Sequence, residues 1–259
     1  MPAPTRPRFA FLDHPGPIPF AHRGGASDAP ENTMPAFAHA ISLGYRYLET
    51  DTQITADGVL LAFHDDDLQR TTGRPGKISA LPYREVSTAR VGGSEPIPLL
   101  EDVLGTWPEA RVNLEAKSDT AVGPLNDVIR RARAIDRVCI GSFHGRRIRR
   151  ARQDLGPGLC TSTGPLETFR WRIASSLPRQ PLMPRVPCAQ VSVSYWGVPL
   201  VTARTVRAAH AAGMQVHVWT IDDADEMRRL LDIGVDGIMT DRLAVLKDVL
   251  VERGQWFGR

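Results

Sequence analysis

The sequence predicts an α/β chain folded as one closed (β/α)8 barrel. Apolar stretches with β character alternate with helical ones from residue 18 to the end, eight of each can be counted, and most links between them are short. No Gly-x-Gly-x-x-Gly turn follows the first strand, which argues against an open doubly wound sheet. A length of 259 residues suits a single barrel of about 250 residues, so the domain is read as 1–259.

In chain order the expected strands are Pro19–His22, Tyr47–Ile54, Arg111–Lys117, Val138–Phe143, Leu159–Thr163, Ala189–Val193, Gln215–Thr220 and Gly237–Thr240. The expected helices are Glu31–Leu43, Leu99–Trp107, Val122–Ile135, Arg146–Leu155, Leu166–Ser175, Ala203–Ala212, Ala224–Ile233 and Ala244–Arg253. In the first helix Met34, Phe37, Ala38 and Ile41 recur at i, i+3, i+4 and i+7, which turns one apolar stripe toward the sheet. Helices stop at Gly44, Gly156, Gly213 and Gly234, each of which leads into a strand and can supply a left-handed cap. The rhythm breaks after the second strand region. Residues 65–98, rich in Gly, Pro, Arg and Thr, are predicted as a small insertion over the C-terminal mouth rather than a second domain. The proline-rich stretch Ser176–Pro187 is expected to be a surface loop before the sixth strand.

Composition narrows the function classes. Hydrophobic residues at 42% and charged residues at 24% lie near globular averages, so a sizeable core is expected. Lys plus Arg at 32 against Asp plus Glu at 29 leaves +3, mostly scattered arginine apart from the cluster at 146–152. That cluster reads as a solvated outer helix face, with an anionic surface as the alternative. It lacks interleaved aromatics, so no nucleic-acid partner is expected. Cys139, Cys160 and Cys188 are odd in number and lack metal-type spacing, so they read as core thiols in a reducing compartment. Residues 1–20 are proline-rich and carry no continuous apolar run of about 7 to 15 residues, so no secretory signal or stable membrane anchor is expected and the location is read as cytoplasmic.

The chemistry concentrates at strand ends. Residues two apart in a strand share a face, so Glu49 and Asp51 project together into the barrel, as do Asn113, Glu115 and Lys117. Three acids crowded in a partly dry cavity repel unless a cation or protons intervene. The all-oxygen set of Glu49, Asp51 and Glu115 suits Mg2+ or Ca2+; buried ion pairs with Arg and Lys are the alternative. His22 ends the first strand and His64 precedes an acidic run, and such a pair suits acid and base work on a phosphate ester. Arg23 and Lys117 supply fixed positive charge for a phosphoryl oxygen, or pair with the acids. Trp219, near the mouth, either packs on substrate carbons or serves the core. His217, deeper on the same strand face, reads as a packed histidine, and His14, His39, His144 and His210 show no partner. Arg70 reads as a tie for its loop, and Asp65–Asp67 as a solvated acidic loop start.

These residues resemble the glycerophosphodiester phosphodiesterases. The likeness rests on His22-Arg23-Gly24-Gly25, Pro30-Glu31-Asn32-Thr33, Glu49-x-Asp51, Thr55-x-Asp57-Gly58, His64-Asp65 and Arg70-Thr71-Thr72. It continues through Ile97-Pro98-x-Leu100-Glu101, Leu114-Glu115-x-Lys117, Val218-Trp219-Thr220 and Gly234-Val235-Asp236-Gly237-Ile238-x-Thr240-Asp241. It runs from residue 20 to about 245 and is weakest between 140 and 200. The resemblance implies a TIM barrel hydrolase that cleaves glycerophosphodiesters to sn-glycerol 3-phosphate and an alcohol. It also implies His22 and His64 as acid and base, Glu49, Asp51 and Glu115 around one divalent cation, and Arg23 and Lys117 on phosphate. The segment after His64 looks like an insertion covering the glycerol end. Arg242-Leu243 departs from the pattern, where a proline often follows Thr-Asp. The expected partner is a small glycerophosphodiester, and the expected assembly a monomer or homodimer. Competing readings are a lysophospholipase D-like or glycerophosphoinositol enzyme, with Trp171, Trp196 and the 164–200 loops accepting a larger group, and a non-catalytic phosphate-ester binding protein.

Overall fold

Eight parallel strands form the inner wall of the protein in a computed structural model that describes residues 9–177 and 184–258. They are β1 (Ile18–Ala21), β2 (Tyr47–Ile54), β3 (Arg111–Ala116), β4 (Val138–Gly141), β5 (Cys160–Thr161), β6 (Cys188–Val191), β7 (Gln215–Val218) and β8 (Gly237–Thr240). Their hydrogen-bonded order is β5-β4-β3-β2-β1-β8-β7-β6, every neighbour parallel. The ends of this sheet meet: Ser162 and Cys188 form a parallel bridge, and the Thr163 N–H donates to the Cys188 carbonyl at 3.0 Å. The sheet is a barrel of the expected (β/α)8 type.

The enclosing helices are α1 (Met34–Ser42), α2 (Leu100–Thr106), α3 (Val122–Arg131), α4 (Gly145–Leu155), α5 (Pro165–Ala174), α6 (Ala203–Ala211), α7 (Ala224–Asp232) and α8 (Leu243–Glu252). Alternation along the strands makes two cores. Outward residues such as Leu48, Val112, Leu114, Val216 and Ile238 pack under helix residues such as Phe37, Val103, Ile129, Leu230 and Leu246. Inward residues Phe20, Tyr47 and Met239 pack with Cys139, Cys160 and Cys188, and Phe11 and Leu12 join the same core. The Tyr47 hydroxyl anchors that segment by donating to the Phe11 carbonyl at 2.8 Å. The three cysteines are free and buried, their sulfurs within 4.8 Å of one another, because β4, β5 and β6 are neighbours.

Several boundaries differ from expectation for local reasons. α1 begins at Met34, not Glu31, because Thr33 is the cap: its hydroxyl accepts from the Ala36 N–H at 3.3 Å, and Asn32 before it stands at φ +54°. The expected insertion holds short helices at Gln69–Thr72 and Tyr83–Val86 and a hairpin of Arg90–Val91 with Glu95–Pro96. It has a small core of its own, built on Leu61, Phe63, Leu68, Ile78, Val86 and Ile97. A short strand, Leu60–Ala62, follows β2, runs antiparallel to it and leads into the insertion. Gly44, Gly156, Gly213 and Gly234 all adopt positive φ as expected. Of the loop expected at Ser176–Pro187, residues 178–183 lie outside the described residues, as do residues 1–8 of the N-terminal segment. Among the described residues no helix is long and apolar enough to cross a membrane.

Candidate active site

Strand register assembles the acidic centre. Asp51 of β2 lies opposite Glu115 of β3, and Glu49 opposite Asn113, so both strands turn their polar faces inward together. Lys117, just past β3, holds the upper pair: its ammonium lies 2.9 Å from Asp51 Oδ1 and 2.7 Å from Glu115 Oε2. For these two acids the ion-pair alternative is realised. Asp51 Oδ2 is buried and has no hydrogen-bond partner among the described residues. Glu49, Asp51 and Glu115 do not close to within 4.8 Å of one another as a trio.

The turn after β1 supplies the next groups. Arg23 takes φ +51°, unusual for a non-glycine residue. In that pose its backbone N–H donates to Glu49 Oε2 at 3.1 Å and its Nη1 to Glu31 Oε1 at 3.0 Å, while Nε lies 3.4 Å from Asp51 Oδ2. The turn continues through Gly25 at φ +93°, where a Cβ would stand 2.6 Å from the Leu243 side chain that opens α8. Only glycine satisfies both the backbone angle and that close approach.

Each histidine is braced by a carboxylate. His22 Nδ1 lies 2.8 Å from Asp241 Oδ1, because β1 and β8 are neighbours and each ends one residue earlier. Its Nε2 is 3.9 Å from Glu49 Oε2. His64 Nδ1 lies 2.6 Å from Asp65 Oδ1. Arg70 grips Asp65 through Nε at 2.6 Å and reaches Glu31 through Nη1 at 2.8 Å, so Glu31 links the two arginines. Arg70 thus ties its loop down as expected. Asp65, expected as a solvated loop residue, is instead the partner of His64. Sequence reasoning missed both Asp65 and Asp241 in this role, although the His64-Asp65 adjacency and the neighbouring ends of β1 and β8 carried the signal.

Charge and burial set the titration behaviour. Burial, reinforced by Asp51, pushes Glu49 up to about 7. Burial also raises Glu115, with Lys117 opposing it. Burial works against ionised Asp51, but Lys117, His64 and Arg23 hold it below the usual carboxylate range. His22 is disfavoured as a cation by burial, yet Asp241 and Glu49 outweigh that and raise it. His64 ends lowered, because burial with Lys117 and Arg23 outweighs Asp51 and Asp65.

The remaining predicted residues take plainer positions. Trp219, after β7, packs against the inner core and meets Phe143 edge-to-face at 5.8 Å. His217 below it is fully buried, 3.1 Å from Gln215 Oε1 and 3.4 Å from Gln190 Nε2, as a packed histidine should be. His210 does have a partner, Asp236 at 2.8 Å. Of the eight predicted site residues, Glu49 and Asp51 lie within β2 and Glu115 near the end of β3, His22, Arg23, Lys117 and Trp219 lie just beyond the ends of β1, β3 and β7, and His64 lies just beyond the short strand that pairs with β2.

The model of the Glycerophosphoryl diester phosphodiesterase family matches residues 22–245, from the first histidine of the site to α8. The chain belongs to that family. A similar relative is the "Probable glycerophosphodiester phosphodiesterase 2" of Mycobacterium tuberculosis, 43% identical over 97% of either chain. The "Glycerophosphodiester phosphodiesterase" of Caldanaerobacter subterraneus subsp. tengcongensis is 30% identical over 85% of this chain and 92% of its own. In fold, the chain resembles the crystal structure of glycerophosphodiester phosphodiesterase from Agrobacterium tumefaciens, with a TM-score of 0.72 at 24% identity, covering 89% of this chain and 98% of that one. As a member of the glycerophosphoryl diester phosphodiesterase family, the protein is an enzyme of the phosphoric diester hydrolase class.

Proposed function

We propose that this enzyme hydrolyses glycerophosphodiesters to sn-glycerol 3-phosphate and an alcohol, with His22 and His64 sharing the acid and base work. The observation that carries the reading is the pair of imidazoles, each held at Nδ1 by a carboxylate, flanking inward acids and two fixed cations at one end of the barrel. A carboxylate at Nδ1 fixes the ring and leaves Nε2 as the working nitrogen. The two rings start on opposite sides of the ordinary imidazole value, which suits one donor and one acceptor.

One divalent cation, Mg2+ or Ca2+, completes the proposal, held by Glu49, Asp51 and Glu115. The fit rests on the all-oxygen donor set, the buried Oδ2 of Asp51 that accepts no hydrogen bond among the described residues, and a Glu49 whose charge burial and Asp51 disfavour. When bound, the ion would neutralise phosphate charge and acidify a nearby hydroxyl. Arg23 and Lys117 carry the rest of the phosphate charge. One imidazole takes the proton of the hydroxyl adjacent to the phosphate, whose oxygen bonds to phosphorus; the other protonates the departing alcohol oxygen. Water then opens the cyclic phosphate with the histidine roles exchanged, and the enzyme returns to its starting protonation.

The test is release of sn-glycerol 3-phosphate from a panel of glycerophosphodiesters, with chelator and with each metal. Metal-dependent release from at least one head group is expected, and a substrate lacking the adjacent hydroxyl should turn over far more slowly. Equal rates with that substrate would remove the cyclic route. No release from any member of the panel would remove the substrate class.

A further inference from the structure

A contiguous set of exposed apolar side chains flanks one side of the barrel mouth. Phe143 follows β4, Leu166 and Phe169 ride on α5, and Tyr195, Trp196 and Val198 form the hairpin after β6. Their exposure runs from 49% at Val198 to 90% at Trp196, and single exposed apolar residues are ordinary whereas clusters are not. The three segments touch. A Cβ on Gly164 would come within 3.1 Å of Gly145 Cα, so the loops before α4 and α5 abut. Arg172 Nε donates to the Pro199 carbonyl at 2.9 Å, tying α5 to the hairpin. Phe143 rests on Trp219, which carries the patch to the edge of the active site. At the tip, the Tyr195 and Trp196 rings stack with centroids 5.5 Å apart. Trp196 and Gly197 make the turn at φ +48° and +77°. A bulky aromatic at positive φ costs free energy, and at this tip it gains almost no burial in return.

Charge identifies the occupant. Residues 141–210 hold eleven arginines and two acids, a net of +9, whereas the whole chain is +3 and the remainder therefore −6. Both acids of this stretch, Asp154 and Glu167, lie against arginines. Arg149, Arg170, Arg204 and Arg207 are exposed on α4, α5 and α6 and have no ion-pair partner among the described residues. Interfacial aromatics flanked by free arginines are what hold a protein on a negatively charged bilayer. The rings enter the headgroup region, and the cations are drawn by the surface potential. Two copies of this chain meeting through the same face would instead bring like charge together.

We propose that this face docks the barrel, mouth toward the lipid, on an anionic bilayer, with Trp196 as the inserted anchor. The test is flotation of the full chain with vesicles of phosphatidylcholine alone and of phosphatidylcholine mixed about 3:1 with phosphatidylglycerol, at low and high salt. The protein is expected to float with the mixed vesicles at low salt and to be released by high salt. Trp196→Ala should weaken binding by about tenfold or more, the size expected for one buried aromatic ring. The double variant Arg170→Glu, Arg204→Glu should abolish it, and unfolding midpoints would verify that both variants are folded. Failure of the parent protein to float with mixed vesicles at low salt overturns the proposal, as does unchanged binding by both variants. A concentration-dependent dimer in sedimentation velocity that Trp196→Ala abolishes would assign the patch to a second copy, and overturns it too.

Discussion

His64 owes its orientation to a relay of ordinary contacts. Asp65 holds its Nδ1, Arg70 holds Asp65, and Glu31 joins Arg70 to Arg23, so the ring is fixed relative to the turn that carries His22. A group that only orients another behaves differently from the group that moves the proton. His22→Ala and His64→Ala are each expected to lose about 10² to 10⁴ in kcat, the usual worth of a positioned acid or base. Asp65→Asn keeps the shape but removes the charge and permits the wrong tautomer. It is expected to lower kcat by about 10- to 100-fold while leaving KM within about twofold. Steady-state kinetics on a soluble glycerophosphodiester separate the cases. An Asp65→Asn enzyme with raised KM and parental kcat would make Asp65 a binding residue instead.

At the scale of elements, the end of α6 is clamped to the strands by a titrating contact. His210 Nε2 lies 2.8 Å from Asp236 Oδ2, which also accepts from the β7 Val216 N–H at 2.7 Å. The Asp236 contact raises the histidine above its ordinary value of 6.5, burial opposing. A group raised in the folded state contributes stability that is fully present below the unfolded pKa and fades as pH rises through the folded one. His210→Ala should therefore lower the unfolding midpoint more at about pH 5.5 than at about pH 8.5. The side chain is half-exposed, so the difference should stay within about 1 kcal/mol. Equal losses at the two values would show that the clamp does not depend on the charge of His210. Elements like these were largely legible in the sequence, because barrel strands read as apolar runs closed by glycine-capped helices. Contacts across the barrel were not. The Asp241 partner of His22 sits 219 residues away, and only the β1–β8 pairing brings them together. The start of α1 was misplaced because proline and the polar residues after it mimic a cap that Thr33 supplies. The interior of the insertion was read only as irregular, since its helices at Gln69–Thr72 and Tyr83–Val86 span four residues each and are too short to show a period.

Across the whole molecule, the barrel spends stability to gather acids at one end. Glu49, Asp51 and Glu115 are mostly buried, Glu31, Asp65 and Asp241 stand around them, and the fixed cations facing them are Arg23, Arg70 and Lys117. Carboxylates outnumber fixed cations here. With Glu49 at about 7, neutral solution leaves that group undecided between a proton and a counter-ion. A cation that binds only the folded chain must then stabilise it by mass action, by about 2.7 kcal/mol at a hundred times its dissociation constant. For a chain of this size that corresponds to a rise of about 5–10 °C in the unfolding midpoint. Mg2+ or Ca2+ is expected to give such a rise, chelator to reverse it, and Glu49→Gln to shrink it by removing one donor. Because the readout is unfolding rather than turnover, it separates the cation from the acid and base assignment. If neither ion moved the midpoint while catalysis persisted in chelator, Lys117 would be the cation on which Asp51 and Glu115 depend, and the chemistry would rest on the protein's own charges.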